Sequence, residues 1–299
     1  MISIFLPTYN CSAFVGPTIE SILSQSYADF ELVCVDDGST DDTVARLNDY
    51  ASHDGRIRVL TKPNEGSVPF SWRFVFPHLR GEFTLYMSHD DVVEKDYLLT
   101  MVAAQASAKA DVVISSCVFF ETDMEAPEEA YAGLNARNDM SGRAAVSGRE
   151  AFRLMLNYDI PGFGLWRTSL IRAVGMPVES FNSDEAMQRV WARMAGVVAF
   201  SGARFGYRQS GGSIVKGLKP YHYASLLSQR RLLAEVPLME MFTVAAVRRF
   251  FIHFVKSLVY LTRQYVALRS GYSVEQRAAV SRVLLRAWNP LVSFKWVKP

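Results

Sequence analysis

The sequence predicts an α/β fold built on a mostly parallel central sheet flanked by helices. Through roughly the first 120 residues, short apolar runs alternate with helical patterns, which is typical of strands joined by helices across a parallel sheet. The second run, Phe30–Val35, is apolar almost throughout and is broken only by Glu31, as expected for a strand buried on both faces. Polar clusters follow several of these runs, where the strands of such a sheet end and ligands bind.

Five strands and four intervening helices follow from these patterns in chain order. The strands are predicted at Ile2–Leu6, Phe30–Val35, Ile57–Leu60, Phe83–Met87 and Val112–Phe119. The helices between them are predicted at Phe14–Ser26, Asp41–Ala51, Val68–Leu79 and Tyr97–Ala108. The chain between Glu121 and Gly148 is polar and irregular, which indicates a long surface loop. Helical patterns follow, two of them opened by the capping signals of Ser147 and Ser183, at 148–157, 184–195 and 221–299.

Composition excludes several classes of protein. The chain has 299 residues, is 49% hydrophobic and 21% charged, and so is typical of a globular protein rather than a disordered one. Its three cysteines, Cys11, Cys34 and Cys117, have neither metal-ligand spacing nor an even framework, which predicts a reducing compartment. We expect no secretory signal, because the start of the chain lacks a basic region, and no membrane-spanning helix, because no run reaches the ~20 apolar residues required.

Charge is distributed unevenly along the chain. The formal net charge is +2, but residues 241–299 contain ten Lys or Arg and a single acid, Glu275, and carry +9, so the preceding 240 residues carry −7. The basic segment is also rich in aromatic residues. This mixture leaves two interpretations open: helices that pack on the rest of the protein or on a second subunit, or peripheral contact with an anionic membrane surface. Nucleic acid is not an expected partner, because the acidic body would oppose phosphate.

Three polar clusters fall where strands are predicted to end. They are Pro7-Thr8-Tyr9-Asn10, Asp36-Asp37-Gly38-Ser39-Thr40-Asp41 and Ser88-His89-Asp90-Asp91. Two clusters contain adjacent carboxylates, which repel each other unless a cation or a donor-rich ligand compensates them. Each pair also has a local interpretation, as a turn capped by Ser39 or as a polar helix start. Because both pairs are expected at one sheet edge, a shared ligand site is the favoured interpretation.

These motifs, together with Asn64-Glu65-Gly66 and the Gln25-Ser26-Tyr27 segment, resemble those of the glycosyltransferases of family two. The resemblance covers about residues 1–210 and is most specific in its first half. It implies a GT-A fold and transfer of a sugar from a nucleoside diphosphate with inversion at the anomeric carbon. It also implies a division into a nucleotide-sugar-binding half, an acceptor-binding half and, in this chain, a basic helical extension, at 1–120, 121–220 and 221–299.

The resemblance assigns nucleotide-binding roles to residues of the first half. Thr8 and Tyr9 would flank the nucleobase, Asp37 would accept a hydrogen bond from that base, commonly a uracil, and Asn64 would line the same pocket. The full set of nucleotide-binding residues predicted in this way is Pro7, Thr8, Tyr9, Asn10, Asp37, Asn64, Ser88 and Asp90.

Asp90 and Asp91 match the carboxylates with which the family binds its metal, and Ser88 stands where the family often has a further Asp. Independently of the family, a divalent cation held by one or two carboxylates would neutralise the charge that develops on a departing diphosphate. Oxygen ligands without clustered His or Cys favour Mg²⁺ or Mn²⁺ over zinc. His89 is expected to support this site rather than to act directly in it.

The resemblance places the general base in the second half, on an acidic pair that opens a helix. Asp184 matches this position, with Glu185 in reserve, because inverting transfer needs one carboxylate to take the proton of the acceptor hydroxyl. A simpler interpretation is that both acids merely favour a helix N-terminus. The acceptor-side candidates are Gly164, Trp166 and Arg208, although a Trp among apolar neighbours fits the core equally well.

The sequence thus predicts a metal-dependent, inverting glycosyltransferase that uses a nucleotide-sugar donor, a UDP-sugar by preference. Its predicted acceptor is a saccharide or lipid-linked saccharide in cell-surface polysaccharide synthesis, and its predicted place is the cytoplasm or the inner face of the cell membrane. A nucleotide-sugar-binding protein without turnover stays open, because of Ser88 and because the family's His is absent near Gln209. A nucleotidyltransferase is less favoured, because Pro7-Thr8-Tyr9-Asn10 is not a Gly-rich phosphate loop.

Overall fold

A computed structural model describes residues 1–65, 68–121, 139–158, 162–175 and 183–209. All of them belong to one of the two units into which the chain divides, the unit of Met1–Glu179 and Ser183–Ser213. Most of the predicted loop at 121–148 and all of the predicted extension at 221–299 lie outside the described residues. Within these ranges, no helix combines the length and the apolar character needed to cross a bilayer.

The strands of the described ranges form one nine-stranded sheet. They are β1 (Ile2–Thr8), β2 (Phe30–Asp36), β3 (Ile57–Thr61), β4 (Phe83–Tyr86), β5 (Val92–Val93), β6 (Val112–Glu121), β7 (Val146–Ser147), β8 (Gly164–Arg167) and β9 (Val197–Gln209). Their order across the sheet is β3-β2-β1-β4-β8-β6-β9-β5, and β7 pairs with β9. The predicted α/β class is confirmed, and the five predicted strands are confirmed as β1, β2, β3, β4 and β6.

The helices of the described ranges are α1 (Val15–Leu23), α2 (Thr43–His53), α3 (Val68–Val75), α4 (Tyr97–Ala108), α5 (Gly148–Tyr158), α6 (Thr168–Val174) and α7 (Ser183–Met194). The helix predicted through Leu79 ends early, and a 3₁₀ turn at Phe76–His78 follows α3. Pro77 explains this end, because proline lacks the N–H that would continue the helix. The predicted capping signal before α5 is confirmed, since the Glu150 N–H donates to Ser147 Oγ at 3.3 Å.

Four strands of the sheet, β5, β7, β8 and β9, are not predicted by the sequence patterns. β8 lies between β4 and β6 and runs antiparallel to both, with Leu165 opposite Leu85 and Val113. Gly164 opens this strand, and a Cβ on it would lie 1.9 Å from the Val113 carbonyl oxygen. This position therefore admits only glycine, so Gly164 has a packing role inside the sheet.

Three tryptophans pack edge-to-face in the interior. The Trp191 ring centre lies 5.3 Å from that of Trp72 and 5.7 Å from that of Trp166, so α3, β8 and α7 share one aromatic cluster. Trp166 is 1% exposed, and its Nε1–H donates to the Gly162 carbonyl oxygen at 3.2 Å. Trp166 therefore belongs to the core, which corrects its candidacy for stacking on an acceptor sugar.

The three cysteines are buried in this interior, and their reactivity tests its packing. Burial raises the pKa of Cys11 to about 11 and also raises the pKa values of Cys34 and Cys117. Because the thiolate is the reactive form, we expect the native protein to react with a thiol-specific disulfide reagent at least about a hundredfold more slowly than the protein unfolded in guanidinium chloride. Fast reaction of one thiol equivalent in native buffer would contradict the packing described here.

Candidate active site

Neighbouring parallel strands end at one edge of the sheet, and the loops that follow them form the candidate site. β1 lies between β2 and β4, and β2 lies between β1 and β3, all in parallel register. The carboxyl ends of these strands lead into loops that begin at Tyr9, Asp37, Lys62 and Met87. The strand pairing thus brings the three polar clusters of the sequence to the same edge.

The loops after β1 and β2 are joined by hydrogen bonds. The Asn10 backbone N–H donates to Ser39 Oγ at 2.9 Å, and the Asn10 side-chain oxygen accepts from the Thr40 N–H at 2.8 Å. Asn10 has a φ of 45°, a left-handed conformation that Asn tolerates better than most residues. Tyr9, beside it, is 39% exposed. The structure therefore places Tyr9 and Asn10 next to the Asp37 loop.

Asp36 holds this corner of the site together. Its buried carboxylate accepts hydrogen bonds from the Ser39 N–H at 2.8 Å, the Ser39 hydroxyl at 2.5 Å and the Thr8 hydroxyl at 3.2 Å. The capping role foreseen for Ser39 is wrong, because α2 begins at Thr43 and its first N–H donates to Asp41 at 3.0 Å. Ser39 and Thr8 instead orient Asp36, whose two oxygens are both used within the protein.

Asp37 is paired with a buried cation that the motifs do not mark. Lys62 Nζ lies 2.5 Å from Asp37 Oδ1 and 2.8 Å from Glu65 Oε2, and the lysine side chain is 3% exposed. The Glu65 N–H donates to the same Asp37 oxygen at 3.2 Å. No described residue donates a hydrogen bond to Asp37 Oδ2. Lys62 follows the third predicted strand directly, and that position is the signal by which the sequence could have revealed it.

The loops after β2 and β3 are in close contact. Gly38 has a φ of +74°, and a Cβ on it would lie 3.0 Å from the Asn64 backbone nitrogen. Glycine is required here both for its left-handed conformation and for this approach. Asn64 therefore lies directly against the Asp37 loop, as the predicted nucleotide pocket requires.

The two members of the Asp90-Asp91 pair have different surroundings. Asp91 is fully buried, and its two oxygens accept from the Ser88 N–H and the Arg208 N–H, each at 3.2 Å. Burial, together with the charge of Asp90, raises the pKa of Asp91 well above its ordinary value. Asp90 is half-buried, and no described residue donates a hydrogen bond to its carboxylate. Asp90 is thus the member of the pair that faces outward.

Arg208, at the end of β9, connects the second half of the domain to this loop. Its Nε–H donates to the Asp90 carbonyl oxygen at 3.0 Å, and its guanidinium lies 4.7 Å from the centre of the Phe120 ring. Together with its backbone bond to Asp91, these contacts hold Arg208 against both aspartates. Of the three acceptor-side candidates, Arg208 is the one that the structure brings to the carboxylates.

A polar stripe on α1 fixes the Asp90-Asp91 loop from behind. Thr18 and Ser21 are buried and lie three residues apart, so they share one face of α1. Thr18 Oγ1 donates to the His89 carbonyl oxygen at 2.9 Å, and Ser21 Oγ accepts from the Val93 N–H at 3.3 Å. Burial lowers the pKa of His89, against the opposing charge of Asp90. The backbone of His89, through its carbonyl oxygen, thus takes part in the support of the loop.

Gln25 extends this stripe beyond the end of α1. Its amide donates to the Glu94 carbonyl oxygen at 2.7 Å and to the Ser21 carbonyl oxygen at 3.0 Å, and its side-chain oxygen accepts from the Leu98 N–H at 2.9 Å. The residue therefore joins α1 to the start of α4. This contact explains why a buried glutamine stands in the Gln25-Ser26-Tyr27 segment.

Asp184 and Glu185 lie in the first turn of α7, which confirms the helix predicted after Ser183. Their side chains lie outside the described part of the chain. Their assignment as base and reserve stays a prediction.

Comparison with known proteins bears on this arrangement. The family described as Glycosyl transferase family 2 matches residues 3–153, which is half of the chain. The chain belongs to glycosyltransferase family 2. The match includes all four loops of the candidate site and confirms the resemblance drawn from the motifs. The protein is therefore a glycosyltransferase.

Relatives of this glycosyltransferase include proteins named for polysaccharide synthesis. It is 26% identical to glycosyltransferase GlyG of Streptococcus pneumoniae serotype 4 over 223 residues, which is 72% of this chain and 73% of GlyG. It is 33% identical to a chondroitin synthase of Escherichia coli over 96 residues, which is 32% of this chain but only 14% of that enzyme.

Solved structures show the fold of this glycosyltransferase. S. aureus TarS 1-349 in complex with UDP-GlcNAc superposes with a TM-score of 0.67 at 18% identity, over 97% of this chain and 81% of that one. The mannosyltransferase PcManGT from Pyrobaculum calidifontis, in complex with GDP-Man and Mn²⁺, superposes with a TM-score of 0.62 at 14% identity, over 100% and 88%. The fold is GT-A, as the resemblance implied.

The contacts of Gln25 predict a large loss of stability on substitution. Gln25→Met keeps the volume but leaves the Leu98 N–H without a partner and removes one of the two donors to the Glu94 carbonyl oxygen, which still accepts from the Tyr97 N–H, so we expect it to lower the free energy of unfolding by about 2–3 kcal/mol. Urea unfolding measures this change. The matched control is Gln105→Met, which removes a single bond of 3.1 Å to a carbonyl oxygen and should cost less than about 1 kcal/mol. Equal costs would show that Gln25 does not support the loop.

The close approach of Gly38 to Asn64 predicts that two glycine-to-alanine substitutions differ in their cost to stability. Gly142 has a comparable φ of +68° but no atom within 4 Å of its would-be Cβ. Gly142→Ala should therefore show only the conformational cost, about 1 kcal/mol, whereas Gly38→Ala should cost clearly more because the Asn64 backbone must also move. Both values follow from thermal or urea unfolding. A Gly38→Ala cost no larger than that of Gly142→Ala would contradict the close packing of the two loops.

Proposed function

We propose that this glycosyltransferase transfers a sugar from a nucleoside-diphosphate donor, in the first instance a UDP-sugar, to a saccharide or lipid-linked saccharide, with inversion at the anomeric carbon. The first half of the chain, about 1–120, binds the donor, and the part at 121–220 binds the acceptor. One observation carries the proposal. At a single sheet edge of a GT-A fold, Asp37 and Asp90 keep carboxylate oxygens to which no described residue donates a hydrogen bond.

The residues at this edge fit a divalent cation shared with the donor. Within the described ranges, no group of three or more His, Cys, Asp or Glu side chains is placed to hold a metal by itself. A cation such as Mg²⁺ or Mn²⁺ commonly takes one or two protein carboxylates and completes its shell with phosphate oxygens and water. Asp90 supplies the outward-facing carboxylate. Asp91, predicted as a second ligand, is assigned a supporting role because backbone N–H groups already engage both of its oxygens.

The presence of GDP-Man and Mn²⁺ in the mannosyltransferase structure supports the same assignment by likeness of fold. When bound, such a cation supplies neutralisation of the negative charge on the departing diphosphate. Arg208 adds a permanent positive charge beside Asp90 and keeps the loop in position from β9.

The remaining steps of the proposed reaction fall to side chains at the rim of the site. Asp37 accepts a hydrogen bond from the nucleobase, with Tyr9, Asn10 and Asn64 around it. Asp184 removes the proton of the acceptor hydroxyl as that oxygen attacks the anomeric carbon, opposite the leaving group, and Glu185 is the reserve for this role. Direct attack by the acceptor in one displacement inverts the configuration at that carbon.

The name of the chondroitin synthase supports a polysaccharide product for this protein as well. The proposal extends to the place of action, which is the cytoplasm at the inner face of the cell membrane. There the basic residues of 241–299 would meet anionic lipid and bring the site to lipid-linked acceptors.

Release of the nucleoside diphosphate tests the proposal directly. Wild-type protein, supplied with UDP-sugars, Mn²⁺ and a panel of saccharide acceptors, should release UDP only when a suitable acceptor is present. Asp90→Asn should lower this rate by about a hundredfold or more, because the cation loses its protein ligand. Asp184→Asn should lower it by about 10²–10⁴ and leave donor affinity unchanged, because a base acts only on the acceptor.

The matched control is Asp49→Asn, on the exposed side of α2, which should keep the full rate. Donor binding without transfer by the wild type over the whole panel would favour the binding protein without turnover. If Asp184→Asn keeps full activity, Asp184 is not the general base, and Glu185 is assigned this role instead.

A further inference from the structure

Lys62, whose ammonium group is fully engaged, lies in the loop after β3 and against Asp37. Besides Asp37 and Glu65, its ammonium group contacts the Pro63 carbonyl oxygen at 3.3 Å. The three acceptors match the three N–H donors of an ammonium group. Lys62 therefore keeps no donor for a ligand, and any effect of this residue on a nucleotide must pass through its partners.

The charges of this cluster pair Asp37 with a buried cation. A buried ammonium group is stable only when a negative partner compensates it, and a carboxylate beside such a cation gains most as the anion. Lys62 faces two carboxylates, so a negative charge remains after pairing. Because the Glu65 side chain is 47% exposed and that of Asp37 only 11%, water can stabilise Glu65, while Asp37 depends on the lysine.

The geometry leaves one Asp37 oxygen for a ligand. Lys62 Nζ and the Glu65 N–H both contact Oδ1, and no described residue donates to Oδ2. The contact between Gly38 and the Asn64 backbone limits movement of the loop. An ionised carboxylate only accepts hydrogen bonds, so the ligand atom that meets Oδ2 must carry a proton.

We infer that Lys62 is a specificity-determining residue that, by holding Asp37 as an acceptor, selects donors whose base has a ring N–H beside a carbonyl. Uracil, with N3–H, and guanine, with N1–H, meet this requirement. Cytosine N3 and adenine N1 present a lone pair instead, so these bases can reach Oδ2 only through the exocyclic amine beside that nitrogen. The inference rests on the proposed function, because it assumes that a nucleoside diphosphate binds beside Asp37.

Calorimetric titration of the full-length protein with UDP, GDP, CDP and ADP, each with Mg²⁺, tests the base preference. UDP or GDP should bind about ten- to a hundredfold more tightly than CDP and ADP, the range of a hydrogen bond to a charged group. The UDP and GDP titrations distinguish uracil from guanine, which share the N–H.

Lys62→Met tests the role of the lysine, because methionine keeps the chain length and removes the charge. It should weaken UDP or GDP binding and bring the ratio of affinities between the N–H bases and CDP close to one. Lys109→Met, an exposed position after α4 and before β6, is the matched control and should keep the wild-type ratio. Asp37→Asn replaces one carboxylate oxygen by an N–H donor and should reverse the preference towards CDP. This variant tests the inference if Lys62→Met does not fold.

The outcomes separate the two proposals. If a folded wild type binds no nucleoside diphosphate, the proposed function fails and this inference fails with it. If UDP, GDP, CDP and ADP bind alike, or if Lys62→Met weakens all four equally, the inference is overturned while the proposed function stands. The inference is supported if the ratio of affinities between the N–H bases and CDP falls close to one in Lys62→Met and is reversed in Asp37→Asn. A lysine with only a structural role would not change this ratio.

Discussion

Compensation of buried negative charge at one sheet edge is the constraint on which the site depends. Asp36, Asp37 and Asp91 are all buried, and a buried carboxylate without partners costs several kcal/mol. Asp36 accepts from a backbone N–H and two hydroxyl groups, Asp37 is paired with Lys62, and Asp91, whose pKa is raised by burial, accepts from backbone N–H groups of two separate segments. Because these partners come from different strands and loops, the bonds to each carboxyl group also tie those elements together.

In each Asp-Asp pair, one carboxylate supports the loop and its neighbour presents an oxygen. Asp36 and Asp91 use both oxygens within the protein, whereas Asp37 and Asp90 keep at least one to which no described residue donates. Adjacent residues of extended chain point in opposite directions, which accounts for the division at the end of β2, whereas Asp90 lies in a turn that separates it from Asp91. The two adjacent acids of each pair therefore have different roles: one fixes the geometry of the loop, and the other presents a carboxylate oxygen.

The surroundings of the Asp90 loop show how the scaffold keeps such groups in place. The stripe of Thr18, Ser21 and Gln25 holds the loop from α1, and Arg208 holds it from β9 on the other side. Since β9 also pairs with β6 and β5, the position of Arg208 is set by the sheet rather than by its own loop. Groups mounted on rigid elements in this way keep their geometry while the ligand changes.

The sequence by itself determined the strands β1, β2, β3, β4 and β6, the helices that join them and the presence of acids at their ends, because these depend on local periodicity and turn chemistry. The family followed from the same motifs. Only the tertiary structure decided that β8 enters the sheet antiparallel, that Trp166 is buried, that Lys62 pairs with Asp37 and that Arg208 reaches Asp91. Each of these depends on residues far apart in the chain, and burial and pairing at such separations leave no periodic signal in the sequence around either partner.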